Sequence, residues 1–156
     1  MRFSVIIPVY NLEQYIQQCL DSVVSQSFSN WEAIIVNDGS IDNSLKIITE
    51  YAKKENRFRI INKLNGGLSA ARNDALNICK GDYVIFLDGD DWLENNTLEF
   101  IDNLIGHSEI DLLVHKMKYY FTDENVIVSE TFVTEGKYTG IDFIHEVLKY
   151  KHYNFY

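Results

Sequence analysis

Apolar residues along the chain fall in short β-branched runs, each followed by a polar turn and then by a segment with helical spacing. Residues 3–9 form the first run and predict a buried strand closed at Pro8. Asn11 followed by Gln14 is a capping-box pattern, and Ile16, Leu20, Val23 and Val24 then give one apolar helix face. Residues 32–36 predict a second strand running into the polar turn Asn37-Asp38-Gly39-Ser40. Ser40 or Asp42 is placed to cap a second helix, with Leu45, Ile48, Tyr51 and Ala52 on its inner face. Residues 58–61 predict a third strand, and Asn65-Gly66-Gly67 breaks the chain. A third helix opens at Ser69 and runs to about Cys79, with Gly81 ending it as a C-cap glycine. Residues 83–87 predict a fourth strand, followed at once by Asp88-Gly89-Asp90-Asp91.

Strand and helix in alternation predict an α/β fold with a mostly parallel sheet and right-handed crossovers. In such sheets ligands bind at the carboxyl ends of the strands. Tyr10-Asn11, Asn37-Asp38 and the Asp88–Asp91 cluster all fall at predicted strand ends, so the unusual polar chemistry gathers on one edge. Beyond Trp92 the pattern weakens. Residues 97–106 read as a helix, 112–114 as a strand, 119–133 as loosely alternating antiparallel strands and 141–149 as an amphipathic helix.

The 156 residues are the length of one ordinary domain, and 46% hydrophobic residues supply one core. A formal net charge of −9 argues against binding a phosphate backbone, so no nucleic-acid partner is expected. Cys19 and Cys79 have no metal-ligand spacing and sit in apolar stretches, which predicts two buried thiols in a reducing compartment. The first apolar run is too short for a signal peptide, and no run approaches the roughly 20 residues that span a bilayer. A cytoplasmic protein is expected, with a peripheral role at the inner face of the membrane left open.

The sharpest chemical signal is the acid cluster. Asp88, Asp90 and Asp91 repel one another, and the apolar strand before them does not need them for folding. A hard divalent cation, Mg²⁺ or Mn²⁺, would remove the repulsion and prefers oxygen ligands. The alternative is a solvated acidic turn that caps the next helix. Asp38 could accept a hydrogen bond from a ligand N–H, or make the Asx-type turn that Asp before Gly often makes. Asn65-Gly66-Gly67 leads into a helix N-terminus, which favours anions, and Arg72 adds positive charge one turn inside. That spacing matches neither a dinucleotide fingerprint nor a P-loop, so alone it is also just a turn. His107, His115, His145 and His152 are scattered and read as surface or structural residues. Tyr150, Tyr153, Phe155 and Tyr156 read as a packing surface.

Taken in order, these segments resemble the family 2 glycosyltransferases. Ser4 to Asn11 is similar to that family's opening strand, and Cys19-Leu20-Asp21-Ser22-Val23 with Gln26 to its first helix. Val36-Asn37-Asp38-Gly39-Ser40 with Asp42 resembles its second strand end. Asn65 to Asn73 resembles its middle loop, and Phe86-Leu87-Asp88-Gly89-Asp90-Asp91 its D-x-D motif. The match covers about residues 3–100, and five motifs in the right order make it specific.

The resemblance implies a GT-A fold, a Rossmann-like nucleotide-diphospho-sugar transferase sheet. Residues 1–110 would bind the nucleotide sugar, and residues 111–156 would begin an acceptor-side region within the same domain. It implies transfer of a sugar, with inversion, from a nucleotide-diphosphate donor of the UDP-sugar type. The acceptor would be a saccharide or a lipid-linked molecule, in cell-surface polysaccharide synthesis. Pro8, Tyr10 and Asp38 would hold the base, with Asp38 facing the uracil N–H and Glu13 reaching the ribose. Gly67 and Arg72 would lie near the nucleotide, Asp88 would support the ribose or the metal shell, and Asp90 would bind Mn²⁺ or Mg²⁺.

The family's catalytic base lies well after the D-x-D motif. None of Glu109, Asp111, Asp123, Glu124 and Asp142 stands in a matching context, so the base is unidentified and the chain reads as truncated. A nucleotide-sugar binder without transfer is the alternative. A receiver-type signalling domain needs acids where the chain has Pro8-Val9-Tyr10, and a nicotinamide dehydrogenase needs a glycine fingerprint there.

Overall fold

The computed structural model describes residues 1–106, 110–113, 118–122, 125–128, 136–137 and 139–142. The chain divides into two compact units, Met1–His107 and Ser108–Tyr156. The first runs β1 (Phe3–Val9), α1 (Ile16–Val24), β2 (Trp31–Asp38), α2 (Ser44–Ala52), β3 (Phe58–Lys63), α3 (Leu68–Leu76), β4 (Tyr83–Phe86) and α4 (Thr97–Ile105). Every residue of β1 and β2 is buried. A strand covered on both faces has no solvent side for polar residues, which is why their apolar runs are nearly unbroken.

The sheet is parallel, in the order β3-β2-β1-β4. The chain steps outward from β1 to β2 to β3, then returns and lays β4 on the other side of β1. That reversal makes a switch point between β1 and β4, where open α/β sheets leave a crevice beyond the carboxyl ends. Helix α3 packs over β1 and β2 through Ala71 and Ala75, against Ile6, Ile34 and Val36. Two alanines on that face let the helix lie close to the sheet.

Local starts and stops differ from the expected ones. Asn11 does not cap α1, whose cap position is Tyr15 and carries no side-chain bond. Asn11 has φ +54 and its Oδ1 accepts the Ile41 N–H, while its own N–H donates to Ser40 Oγ. Ser40 is thereby drawn away from α2, and Asp42 Oδ1 accepts the N–H of Ser44, the first residue of that helix. Val24 is exposed rather than part of the buried face of α1. Helix α3 begins at Leu68, one residue before Ser69, and ends at Leu76 rather than near Cys79. Gly81 is no left-handed cap: a Cβ there would stand 2.5 Å from Ser4 N, so it is glycine because β1 crosses against it. Cys19 is buried as expected, whereas Cys79 is partly exposed.

In the second unit β5 (Lys118–Thr122) pairs antiparallel with β6 (Asn125–Val128), in line with the alternation read there. Residues 140–142 are helical, and Thr139 Oγ1 accepts the Asp142 N–H. Residues 111–113 form no strand. Val114, the four histidines, Glu109, Asp123, Glu124 and the aromatics from Tyr150 onward lie outside the described residues. Among the described residues no helix is long and apolar enough to cross a membrane.

Candidate functional site

A cavity of about 300 Å³ opens at the carboxyl ends of β1, β2 and β4. Pro8, Val9, Tyr10 and Leu12 line it from the end of β1, and Asp38 from the end of β2. Asn65, Gly67, Leu68 and Ala71 come from the glycine turn and α3, and Asp88, Gly89 and Asp90 from the loop after β4. Pro8, Tyr10, Asp38, Gly67, Asp88 and Asp90, all singled out in the sequence, therefore share one cavity. Arg72 joins them through Asp88, its Nη2 lying 2.6 Å from Oδ1. Glu13 is turned aside: its Oε2 accepts from N and Nδ2 of Asn43, at 2.9 and 2.8 Å.

Asp38 is 3% exposed, and both of its oxygens are occupied. Oδ1 accepts the Gly66 N–H at 2.9 Å and Oδ2 accepts the Gly67 N–H at 2.8 Å. Lys63 Nζ lies 3.7 Å from Oδ1 and 2.8 Å from Asp74 Oδ2. Tyr10, by contrast, is 49% exposed, so its ring is free to meet a planar ligand.

The acid loop rests on β1. A Cβ on Gly89 would meet Leu12 Cδ1 at 2.9 Å and the Pro8 carbonyl oxygen at 3.1 Å, so glycine lets the loop lie this close without displacing either. The room that Gly89 clears is taken by the end of β1 and by Leu12. The Cys19 thiol sits behind the loop, donating to the Asp88 carbonyl at 3.8 Å. Burial, then the charges of Asp91, Asp90 and Asp88, push that thiol up to about 12. Burial, then the charges of Asp90 and Asp88, push the Asp91 carboxyl up. The loop thus carries uncompensated negative charge, although Arg72 balances Asp88.

That donor set fits a hard divalent cation in chemistry. Among the described residues no three acidic, histidine or cysteine side chains converge as a finished ligand set. The protein would therefore contribute one or two carboxylates, and a bound phosphate the remaining oxygens, as Mg²⁺ sites commonly do.

Several residues that hold the site are not among those the sequence marks as site residues. Gly39 has φ +76, and a Cβ there would stand 2.6 Å from Asn65 N. Lys63 is one lysine among many until it is seen beside Asp38. Gln26, 6% exposed, donates to the carbonyls of Ser22 and Glu94 and accepts the Leu98 N–H, which pins the segment after the acid loop to α1. Glu32 could have been noticed as an acid at the start of an apolar strand; it anchors the turn before β4 through the Lys80 N–H at 2.6 Å.

Comparisons agree with this architecture. Residues 4–154 match the family described as Glycosyl transferase family 2. Glycosyltransferase GlyA of Streptococcus pneumoniae serotype 4 is 42% identical over 124 residues, 80% of this chain and 18% of that protein. A poly(ribitol-phosphate) beta-glucosyltransferase of Bacillus spizizenii is 39% identical over 122 residues, 76% of this chain and 19% of that protein. The crystal structure of S. aureus TarS 1-349 in complex with UDP-GlcNAc superposes with a TM-score of 0.65 at 36% identity, over 69% of this chain and 32% of that one. The chain thus spans about a fifth of these two relatives and a third of the TarS fragment, and the shared part includes the parallel sheet of the GT-A fold. The chain belongs to the family 2 glycosyltransferases.

Proposed function

We propose that this chain is the donor-binding part of an inverting glycosyltransferase that takes a UDP-sugar and depends on a divalent cation. The observation that carries the reading is the cavity at the switch point, whose lining combines an aromatic part, Tyr10, with an acidic part, Asp88 and Asp90. A nucleoside diphosphate has the same division, a flat base at one end and two phosphates at the other. The base and ribose would lie along Pro8, Tyr10, Asp38 and Gly67, and the diphosphate beside the acid loop. Glu13 would reach the ribose only by giving up Asn43. UDP is favoured over other nucleotides because TarS, at 36% identity, was crystallised with UDP-GlcNAc and with UDP.

Asp90, with Asp88 beside it, would hold Mn²⁺ or Mg²⁺. A bound divalent cation supplies positive charge next to the leaving diphosphate. Arg72 holds Asp88 in place and offsets part of its charge. Tyr10 and Leu12 give the nucleoside apolar surface, which leaves the diphosphate as the part facing the carboxylates.

The acceptor would be a saccharide or a lipid-linked molecule of cell-surface polysaccharide synthesis. This rests on relatives such as the poly(ribitol-phosphate) beta-glucosyltransferase. Attack by an acceptor hydroxyl needs a carboxylate base. Among the described residues the acids lining the cavity are Asp38, Asp88 and Asp90, and this reading gives each of them another task. Donor binding without efficient transfer is accordingly the behaviour expected of this chain by itself. A thermal-shift panel of UDP-, GDP- and CDP-sugars with Mn²⁺, followed by a transfer assay on the best donor, tests the reading. UDP-sugars should stabilise the chain most; the absence of any donor-dependent shift would contradict it.

A further inference from the structure

The end of β2 grips the glycine turn from two sides. From one side the Asp38 carboxylate accepts the N–H groups of Gly66 and Gly67, at 2.9 and 2.8 Å. From the other, Gly39 lies so close to Asn65 that a Cβ would come within 2.6 Å of its backbone nitrogen. Gly67 then turns the chain with φ +85 and ψ 164, and its carbonyl accepts the Ala71 N–H to start α3. The backbone of that turn and the first residues of α3 form one wall of the cavity.

We propose that Asp38 and Gly39 act as one positioning unit for the Asn65-Gly66-Gly67 turn, so that Asp38 governs binding of every nucleotide rather than reading one base. This rests on the donor-site reading above and extends it. A carboxylate with both oxygens engaged by backbone amides is an anchor first: withdrawing it leaves two N–H groups unpaired and frees the wall that a nucleoside would lie against. Lys63, bridging Asp38 and Asp74, keeps the anchor on the β3 side. Gly39 contributes without touching the ligand at all, because its part is the space it leaves for Asn65.

Calorimetry with UDP and with CDP in Mn²⁺, on wild type, Asp38→Ala, Asp38→Asn and Gly39→Ala, separates anchoring from base reading. Anchoring predicts that Asp38→Ala and Gly39→Ala each weaken UDP and CDP by the same factor, about tenfold or more, with their ratio unchanged. Asp38→Asn, which keeps one acceptor oxygen, should fall between. Amide exchange by NMR supplies a readout that needs no ligand: Gly66 and Gly67 should exchange at least about tenfold faster in Asp38→Ala. If CDP affinity is untouched while UDP affinity falls, or if Gly39→Ala binds as wild type, the unit does not exist. Equal exchange at Gly66 and Gly67 in wild type and Asp38→Ala would also overturn it. Should wild type bind neither nucleotide, the donor-site reading fails, and the exchange comparison still decides whether Asp38 holds the turn.

Discussion

Nη2 of Arg72 lies 2.6 Å from Oδ1 of Asp88, an ion pair that ties α3 to the acid loop. The same guanidinium carbon sits 5.4 Å from the centre of the Phe86 ring, while its Nε is buried with no hydrogen-bond partner among the described residues. The Arg72 and Asp88 side chains are 31% and 44% exposed, so solvent screens the pair. Its loss should cost no more than about 1 kcal/mol of stability.

Binding should feel that loss more than folding does. Arg72→Ala leaves Asp88 uncompensated beside Asp90 and Asp91, where an incoming diphosphate adds further negative charge. We expect UDP affinity in Mn²⁺ to fall by about tenfold, with only a small change in denaturation midpoint. Titration calorimetry and urea unfolding of the same variant measure the two effects side by side.

Glu32 should behave in the opposite way. It is 3% exposed at the amino end of β2, away from the cavity. Its Oε1 accepts from Ser4 Oγ and the Lys80 N–H, and Arg59 lies 3.4 Å from Oε2. Glu32→Ala unpairs buried groups and should destabilise the chain by about 1–3 kcal/mol. Chemical unfolding reads the destabilisation, and UDP affinity of the folded fraction should be unchanged.

The pairing of Glu55 with Arg57 gives a pH signature. Hydrogen bonds from the Arg57 side chain hold the Glu55 carboxyl below its ordinary value of 4.5, against the opposing effect of burial. A lowered folded value means the contribution is fully present above pH 4.5 and is lost as pH falls through the folded value. Glu55→Gln should therefore cost stability at pH 7, by less than about 1 kcal/mol for a partly exposed pair. The gap from wild type should close as pH falls below 4.5. Unfolding curves across the acid range test this, and a gap that widens toward low pH would be the wrong sign.

Gly89→Ala probes how the acid loop rests on β1. The new Cβ would meet Leu12 Cδ1 at 2.9 Å, which that side chain can relieve by turning, and the Pro8 carbonyl at 3.1 Å, which requires the loop to shift by a few tenths of an ångström. We expect the cation-dependent part of UDP affinity to drop while binding in EDTA is unaffected. Calorimetry in the two buffers distinguishes a shifted loop from a general loss of structure, which would lower both.

The succession of strands and helices, and the gathering of polar residues at one edge of the sheet, were legible because they rest on period and punctuation. Four β-branched runs, each ending in polar residues, dictate a sheet whose carboxyl ends carry Tyr10, Asp38 and the acid cluster. Helix starts were less legible, because the polar residues beside them had competing partners. Asn11 reads as a cap until Ser40 and Ile41, about 30 positions away, are seen to take its backbone and side chain. Ser69 reads as a helix start, yet Gly67 already sets the turn through a conformation that needs no side chain. Gly39 and Gly81 read as ordinary turn and cap glycines, because what requires them is the backbone of a distant segment. Asp38 was singled out for its place at a strand end, and its bonds to Gly66 and Gly67 appear only once β2 and the turn before α3 are brought together.

The central claim is a donor site in which the acid loop works through a divalent cation. The Asp88 and Asp90 carboxylates line the cavity and would repel a diphosphate: unit charges about 4 Å apart cost about 4 kcal/mol at an effective dielectric near 20. Titration calorimetry of UDP into wild type and Asp90→Ala, each in Mn²⁺ and in EDTA, tests this most directly. The account predicts tight binding only for wild type in Mn²⁺, with Asp90→Ala in Mn²⁺ falling close to the EDTA values. Equal UDP affinity for wild type in Mn²⁺ and in EDTA would contradict it.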